Sequence, residues 1–204
     1  MPAQLYNKDH ILDACFYVFA RNGYKNTSTA MLAEAAGISK ALLFHHFKSK
    51  KEVYLQSLDL FYTRGRIELG YDKLSDELGF FEAKERASVR KLEYYMNNPD
   101  AYNFIIEAFY HTPDELRPEL DEKYGRIMVN REKELRRMFE KVTLRQGVDR
   151  EQAFRLVMLV LDSFDDKYLS GISEQDSLDE EKLRDFIIRR NEFLSMVRFG
   201  IEEK

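Results

Sequence analysis

Residues 27–54 read TSTAMLAEAAGISKALLFHHFKSKKEVY, and this stretch decides the fold. Thr27, Ser28 and Thr29 offer hydroxyls that cap a helix running through Ala36. Gly37 supplies a tight turn. Ser39 caps a second, short helix from Lys40 to about Phe47, and Ser49 caps another that begins at Lys50. Ala33, Ala36, Ile38, Leu43 and Phe47 are small or apolar at spacings that let the first two helices cross and share a core. This is helix, glycine turn, helix, and such a turn presents its second helix outward, shaped for a DNA major groove. The N-terminal end of that helix carries positive dipole and N–H groups that favour phosphate. Lys40, His45, His46, Lys48, Lys50 and Lys51 surround it.

The charge balance outside this stretch runs the other way. The 204-residue chain has a formal net charge of −4. Residues 1–55 hold seven Lys/Arg and four Asp/Glu, net +3, and the remainder holds 25 and 32, net −7. Three of the four histidines, His10, His45 and His46, also lie in the first segment. A basic head on an acidic body is the footprint of a protein that applies one end to a polyanion.

Working outward, apolar residues at 11, 12, 15, 16 and 19 make residues 8–22 a helix ended by Gly23. The helix from Lys50 is expected to reach the sixties or seventies. Residues 80–97 form a helix stopped by Asn97-Asn98-Pro99, and residues 100–111 form another, ended by Thr112-Pro113. Residues 114–145 read as one long helix, broken or not at Pro118, that Gly147 ends. Helices over 149–169 and 179–202 flank a polar loop, SGISEQDS (170–177). No segment sustains the alternation of a strand. Scarce Pro and Gly, 4 and 9, suit long helices. The expectation is an all-α chain of about nine helices. A DNA-binding domain at residues 1–50 precedes a helical ligand-sensing and dimerisation domain at 51–204.

Several classes find no support. No apolar run approaches the ~18 residues that span a bilayer. MPAQLYNKDH lacks the basic and apolar regions of a signal peptide. Cys15 is the one cysteine, so no internal disulfide forms. These points predict a cytoplasmic protein without a membrane partner. There is no zinc-ligand spacing, no glycine-rich phosphate loop and no nucleophile motif. Neither metal nor cofactor nor catalytic residues are expected.

The 27–54 stretch resembles the TetR family of repressors, whose signature runs from a threonine pair through AG-hydrophobic-Ser to aromatic-His-x-Phe and a lysine. Here those elements are Thr27-Ser28, Ala36-Gly37-Ile38-Ser39-Lys40, Phe44-His45-His46-Phe47 and Lys50, with Gly23-Tyr24 before them. The resemblance covers about the first 55 residues. It implies that Thr27 or Ser28 caps the second helix and touches phosphate. It implies that Ser39, Lys40, Ala41 and Leu42 face the groove, and that Phe44, His45 and Lys50 lie along the DNA backbone; Lys48, one of the surrounding cations, is expected to contact phosphate. Phe44 stands where the family usually has tyrosine, so a hydroxyl to phosphate is lost. Leu42 replaces a small hydroxyl residue and offers apolar contact, as to a thymine methyl. Ala30 and Met31 sit where charge is common. Lys40 and DNA shape are therefore expected to carry more of the specificity.

Beyond residue 55 the resemblance implies effector binding and two-fold dimerisation. The expected effector contacts are Tyr95, Phe104, Glu107, Tyr124, Met128, Arg131, Met158, Asp162 and Asp165. Aromatic and Met side chains line pockets for bulky compounds, and charges on apolar stripes must be paired or solvated. The alternative is an ordinary core with an Arg131–acid bridge. Phe154, Val157, Leu161, Phe164, Phe186, Phe193, Leu194 and Val197 form stripes on the last two long helices. They suit a four-helix interface between two copies, or burial within one chain. The expected protein is a homodimeric repressor of a palindromic double-stranded DNA operator, released by a small-molecule effector. A DNA-binding factor of the same fold without an effector is the alternative. An enzyme or carrier using the helical body is the other rival.

Overall fold

The computed structural model describes residues 7–69, 78–171 and 180–201. Every helix or strand among them is helical, as the periodicity predicts: α1 (Lys8–Asn26), α2 (Thr29–Ala35), α3 (Lys40–His46), α4 (Lys50–Glu68), α5 (Phe80–Asn97), α6 (Pro99–Phe109), α7 (Arg117–Phe139), α8 (Arg150–Gly171) and α9 (Glu180–Ile201). Residues 172–177 of the expected loop lie outside the described residues.

The helix ends follow local chemistry. Asn7 caps α1 by accepting the Asp9 amide, and Gly23 leaves helical geometry at φ 72°, ψ 164° before a last turn to Asn26. Gly23 thus kinks α1 where the sequence suggested a stop. The segment 114–145 is shorter than expected, because α7 starts at Arg117 and ends at Phe139. Pro118 falls in its first turn, where a missing N–H costs nothing, so it starts the helix instead of breaking it. The far end is closed by Arg150 of α8, whose guanidinium donates to the carbonyls of Phe139 (2.8 Å) and Val142 (3.0 Å). A side chain 11 residues on, invisible to periodicity, sets that boundary.

The chain packs as two compact units: Met1–Glu68 with Asn98–Glu122, and Leu69–Asn97 with Lys123–Lys204. They cut the chain differently from a division at residue 50, because α4 and α6 both pack on α1. In the first unit Phe16, Phe19, Tyr24, Tyr54, Phe61 and Phe104 form an aromatic cluster with centroids 4.8–6.4 Å apart. Ser57 of α4 donates to the Leu12 carbonyl of α1 at 3.1 Å, so even the polar member of that contact is satisfied.

The second unit has its own core, in which Phe80, Phe81, Leu135, Phe139, Phe154, Val157, Leu161 and Leu194 are buried. This corrects part of the expected interface. Phe154, Val157, Leu161 and Leu194 are covered by their own chain, at 4% exposure or less, and have no surface to offer a second copy. Val197 packs against the same core. Phe164 is half-buried and touches the rings of Phe186 and Phe193.

Candidate nucleic-acid interface

The turn between α2 and α3 is closed by two backbone bonds. Gly37 N–H donates to Glu34 O (3.0 Å) and Ile38 N–H to Ala33 O (2.9 Å), with Gly37 at φ 64°. This arrangement satisfies the last carbonyls of α2 and needs a residue that tolerates left-handed geometry. Ser28 Oγ accepts from Met31 N–H and caps α2; Ser39 Oγ accepts from Leu42 N–H (3.1 Å) and caps α3. At the next junction Ser49 Oγ accepts from Glu52 N–H (3.1 Å), and the Glu52 carboxylate reaches back to Lys48 N–H (2.7 Å). Three hydroxyl caps thus fix three helix starts within 22 residues.

Leu43 and Phe47 face inward at 1% exposure, and the Lys8 ammonium lies 5.1 Å above the Phe47 ring. Ser28, Ser39, Lys40, Ala41, Phe44, His45 and Lys48 are exposed, and Leu42 is half-buried. Phe44 is 48% exposed, which is costly for a large apolar ring that nothing covers. Between Ser28 and Lys51 the only acid is Glu34. A short helix rimmed by lysines and histidines, with an apolar patch on it, can meet phosphates and base edges together.

Two expected contacts are placed elsewhere. Thr27 is buried at 2% exposure, and its hydroxyl donates to Gly23 O (2.7 Å), so it holds the end of α1 and cannot reach phosphate. Capping of α2 belongs to Ser28 alone. Lys50 Nζ donates to the carbonyls of Tyr24 (2.8 Å) and Thr27 (3.1 Å) and lies 4.2 Å from the Tyr24 ring centroid. Its charge holds the turn into α2. Lys51 pairs with Glu119 at the start of α7, which keeps that carboxyl below its ordinary range.

The expected effector residues divide. Phe104 is fully buried among the first unit's aromatic rings. Glu107 accepts from Tyr24 N–H at Oε1 (2.6 Å) and from the Tyr54 hydroxyl at Oε2 (3.2 Å). Tyr124 is buried, and Tyr95 and Met158 are half-buried. Met128, Arg131 and Asp162 are exposed, so Arg131 is not the buried charge that its place on the α7 stripe suggested. The Asp165 side chain lies outside the described residues. Among the described residues no cluster of three or more His, Cys, Asp or Glu could hold a metal, and no helix is long and apolar enough to cross a membrane.

Sequence reasoning missed the outer face of the last helices. Leu156 and Leu159 of α8, and Ile188, Met196 and Phe199 of α9, are 44–67% exposed, together with the expected Phe193 at 47%. The signal was available. Residues 153–161 are apolar on nearly every side, and a helix apolar all round needs more than one cover.

Three comparisons bear on this geometry. Residues 11–56 match the family described as bacterial regulatory proteins, tetR family. The chain is 26% identical over 165 residues to the biofilm operon icaADBC HTH-type negative transcriptional regulator IcaR of Staphylococcus aureus, a match covering 77% of this chain and 81% of that protein. Among solved structures it resembles the TetR-family regulator PfmR of Thermus thermophilus (TM-score 0.56, 25% identity, 90% of this chain and 95% of that one). It also has the fold of the regulator FadR of Bacillus subtilis, solved with stearoyl-CoA (TM-score 0.62, 14% identity, 94% and 97%).

Proposed function

We start from the chain's being a TetR-family transcriptional regulator and propose that it is a repressor, a homodimer that grips a palindromic operator through α3 and its flanks and releases it when a small molecule binds the helical body. The observation that carries the DNA reading is the α2–turn–α3 segment. Its inward residues, Leu43 and Phe47, are buried, and its outward residues, Lys40, Ala41, Phe44, His45 and Lys48, are exposed and uncovered. Lys40 and Ala41, with Leu42 and Ser39, are assigned to base edges. Ser28, Phe44, His45 and Lys48 are assigned to the backbone. Repression follows the relative IcaR, which is named a negative regulator. Residues 1–50 read DNA in this account, and residues 51–204 sense and dimerise. The site of action is the cytoplasm.

The second copy is assigned to the outer face of α8 and α9. Six large apolar side chains stand exposed there, Leu156, Leu159, Ile188, Phe193, Met196 and Phe199. An uncovered apolar face of this kind marks an interface, and a two-fold axis lets one face cover its own copy. Phe164, Phe186 and Val197 border it from the core side.

Release requires an effector that binds the DNA-incompetent state better than the competent one. The fold relative FadR was solved with stearoyl-CoA, which supports a bulky ligand with a long apolar tail for the body. Tyr95, Tyr124 and Met158 of the second unit are the contacts carried forward. A thermal-shift screen of apolar and acyl-CoA compounds tests this. Any compound that raises Tm is then added to the protein–DNA complex. Dissociation at matching concentrations is expected. Stabilising compounds that leave the DNA complex intact would remove effector release from the proposal.

A further inference from the structure

The break at the end of α1 exposes a backbone problem that is solved from a distance. Gly23 at φ 72° ends regular helical geometry, so the Tyr24 amide and the carbonyls of Tyr24 and Thr27 need other partners. The Tyr24 ring is 2% exposed, so water is a poor partner for this strand of backbone. Two side chains of opposite charge take the groups instead. Lys50 of α4 donates to the two carbonyls at 2.8 and 3.1 Å, and Glu107 of α6 accepts the Tyr24 amide at 2.6 Å. The same carboxylate accepts the Tyr54 hydroxyl of α4 at 3.2 Å. A Cβ on Gly23 would lie 2.8 Å from Glu107 Oε1, so the glycine leaves the room that the carboxylate occupies.

We propose that Glu107 is a positioning residue of the DNA reader: it sets the Gly23–Ser28 turn, and through it the start of α2, from a helix 80 residues downstream. The inference rests on the DNA-binding reading of α2 and α3. Thr27 and Ser28 follow directly on the clamped segment, Thr27 tied to Gly23 O and Ser28 capping α2. A shift of this turn re-aims the phosphate-facing Ser28 and the helix it caps. Small displacements of a positioning element are expensive in recognition, because base and phosphate contacts must be made together. Glu107 touches no DNA in this account. It acts through Tyr24 and Tyr54.

The test uses the full chain and the duplex that the wild-type protein enriches from a random library. Glu107→Ala removes both acceptors. Glu107→Gln keeps an oxygen for the Tyr24 amide and turns its NH2 toward the Tyr54 oxygen, which accepts. Tyr54→Phe removes only the hydroxyl. Binding is measured for each beside hydrogen exchange at the Tyr24 amide. Glu107→Ala is expected to lose about tenfold or more in affinity for the enriched duplex and to lose protection at Tyr24. Glu107→Gln is expected to stay within about threefold of wild type with protection retained, the rescue that a bulk folding defect does not show. Tyr54→Phe should fall between them. Wild-type affinity in Glu107→Ala, or equal loss in Glu107→Ala and Glu107→Gln at equal Tm, overturns the proposal. If Glu107→Ala does not fold, Glu107→Gln and Tyr54→Phe decide on the same readouts. If the wild-type chain enriches no duplex, the DNA-binding reading fails and the positioning role fails with it. The Tyr24 exchange then still reports whether the clamp exists.

Discussion

Four lysines lie within 12 residues of one another at Lys40, Lys48, Lys50 and Lys51, and they are predicted to do different things. Lys40 is exposed in the first turn of α3 and is assigned to base edges, so Lys40→Ala should weaken the enriched operator by about 1–3 kcal/mol and an unrelated duplex by less. Equal losses on both would remove it as a reader. Lys48 is exposed and assigned to phosphate, so Lys48→Ala should weaken all duplexes alike and reduce the salt slope by about 1. Lys50 is committed to two carbonyls, so Lys50→Ala should lower Tm and leave the salt slope unchanged. A changed slope for Lys50→Ala would return it to the DNA backbone. The sequence reveals that these lysines cluster. It does not reveal which are spent internally, because the carbonyls that take Lys50 are freed by a kink at Gly23 that periodicity alone reads as a stop. Cys15 is fully buried, and burial pushes its thiol up to about 12. The neutral thiol is favoured in the fold, so its contribution to stability is intact below the ordinary value of 9.0 and is lost as pH rises toward about 12. A thiol reagent at neutral pH should label Cys15 only after denaturant is added; labelling at the free-thiol rate in the native protein would contradict its burial.

At the scale of elements, helix starts were more legible than helix ends. Ser28, Ser39 and Ser49 cap as their positions predict, because a cap is a local bond between neighbours in sequence. The end of α7 was not legible, because Arg150 makes it from the following helix. Which face of α8 is left outward is illegible in the sequence for a similar reason. Its apolar residues surround the helix, and only the packed structure shows that Phe154, Val157 and Leu161 are taken by the chain's own core while Leu156 and Leu159 are left out. Glu107 is a charge on an apolar helix, and its hydrogen bonds go to the chain's own Tyr24 and Tyr54. The junction of α1 with α2 yields a prediction at this scale. Gly23→Ala would place an L-residue at φ 72° and a methyl against Glu107, two penalties in one substitution. Thermal denaturation should show a loss of about 1–3 kcal/mol. Gly37→Ala at φ 64° meets nothing within 4 Å of a Cβ, and it avoids both the Glu107 contact and the extended ψ of 164° at Gly23, so it should cost less. Equal losses for Gly23→Ala in the wild-type and Glu107→Ala backgrounds would mean that Glu107 yields freely and does not hold the turn.

At the scale of the molecule, operator recognition by this fold calls for two copies. Two reading helices on one side of a duplex sit roughly 34–36 Å apart, one helical turn, when their dimer is two-fold symmetric. Leu159→Glu or Met196→Glu on the exposed face should give a folded monomer by sedimentation, with weakened operator binding. Leu161→Glu strikes the core instead and should unfold the second unit, a charge without partner at 2% exposure. A dimer that survives both surface charges would move the interface elsewhere. Reading of DNA sequence by α3 from a symmetric pair of chains can be tested by selection from random DNA. The wild-type chain is incubated with a random duplex library at near-physiological salt, and the retained DNA is sequenced. An enriched, inverted-repeat site is expected, its half-sites centred about 10 base pairs, or a whole multiple of a turn, apart. Retained DNA with the composition of the input library, or an enriched site without two-fold symmetry, would contradict it.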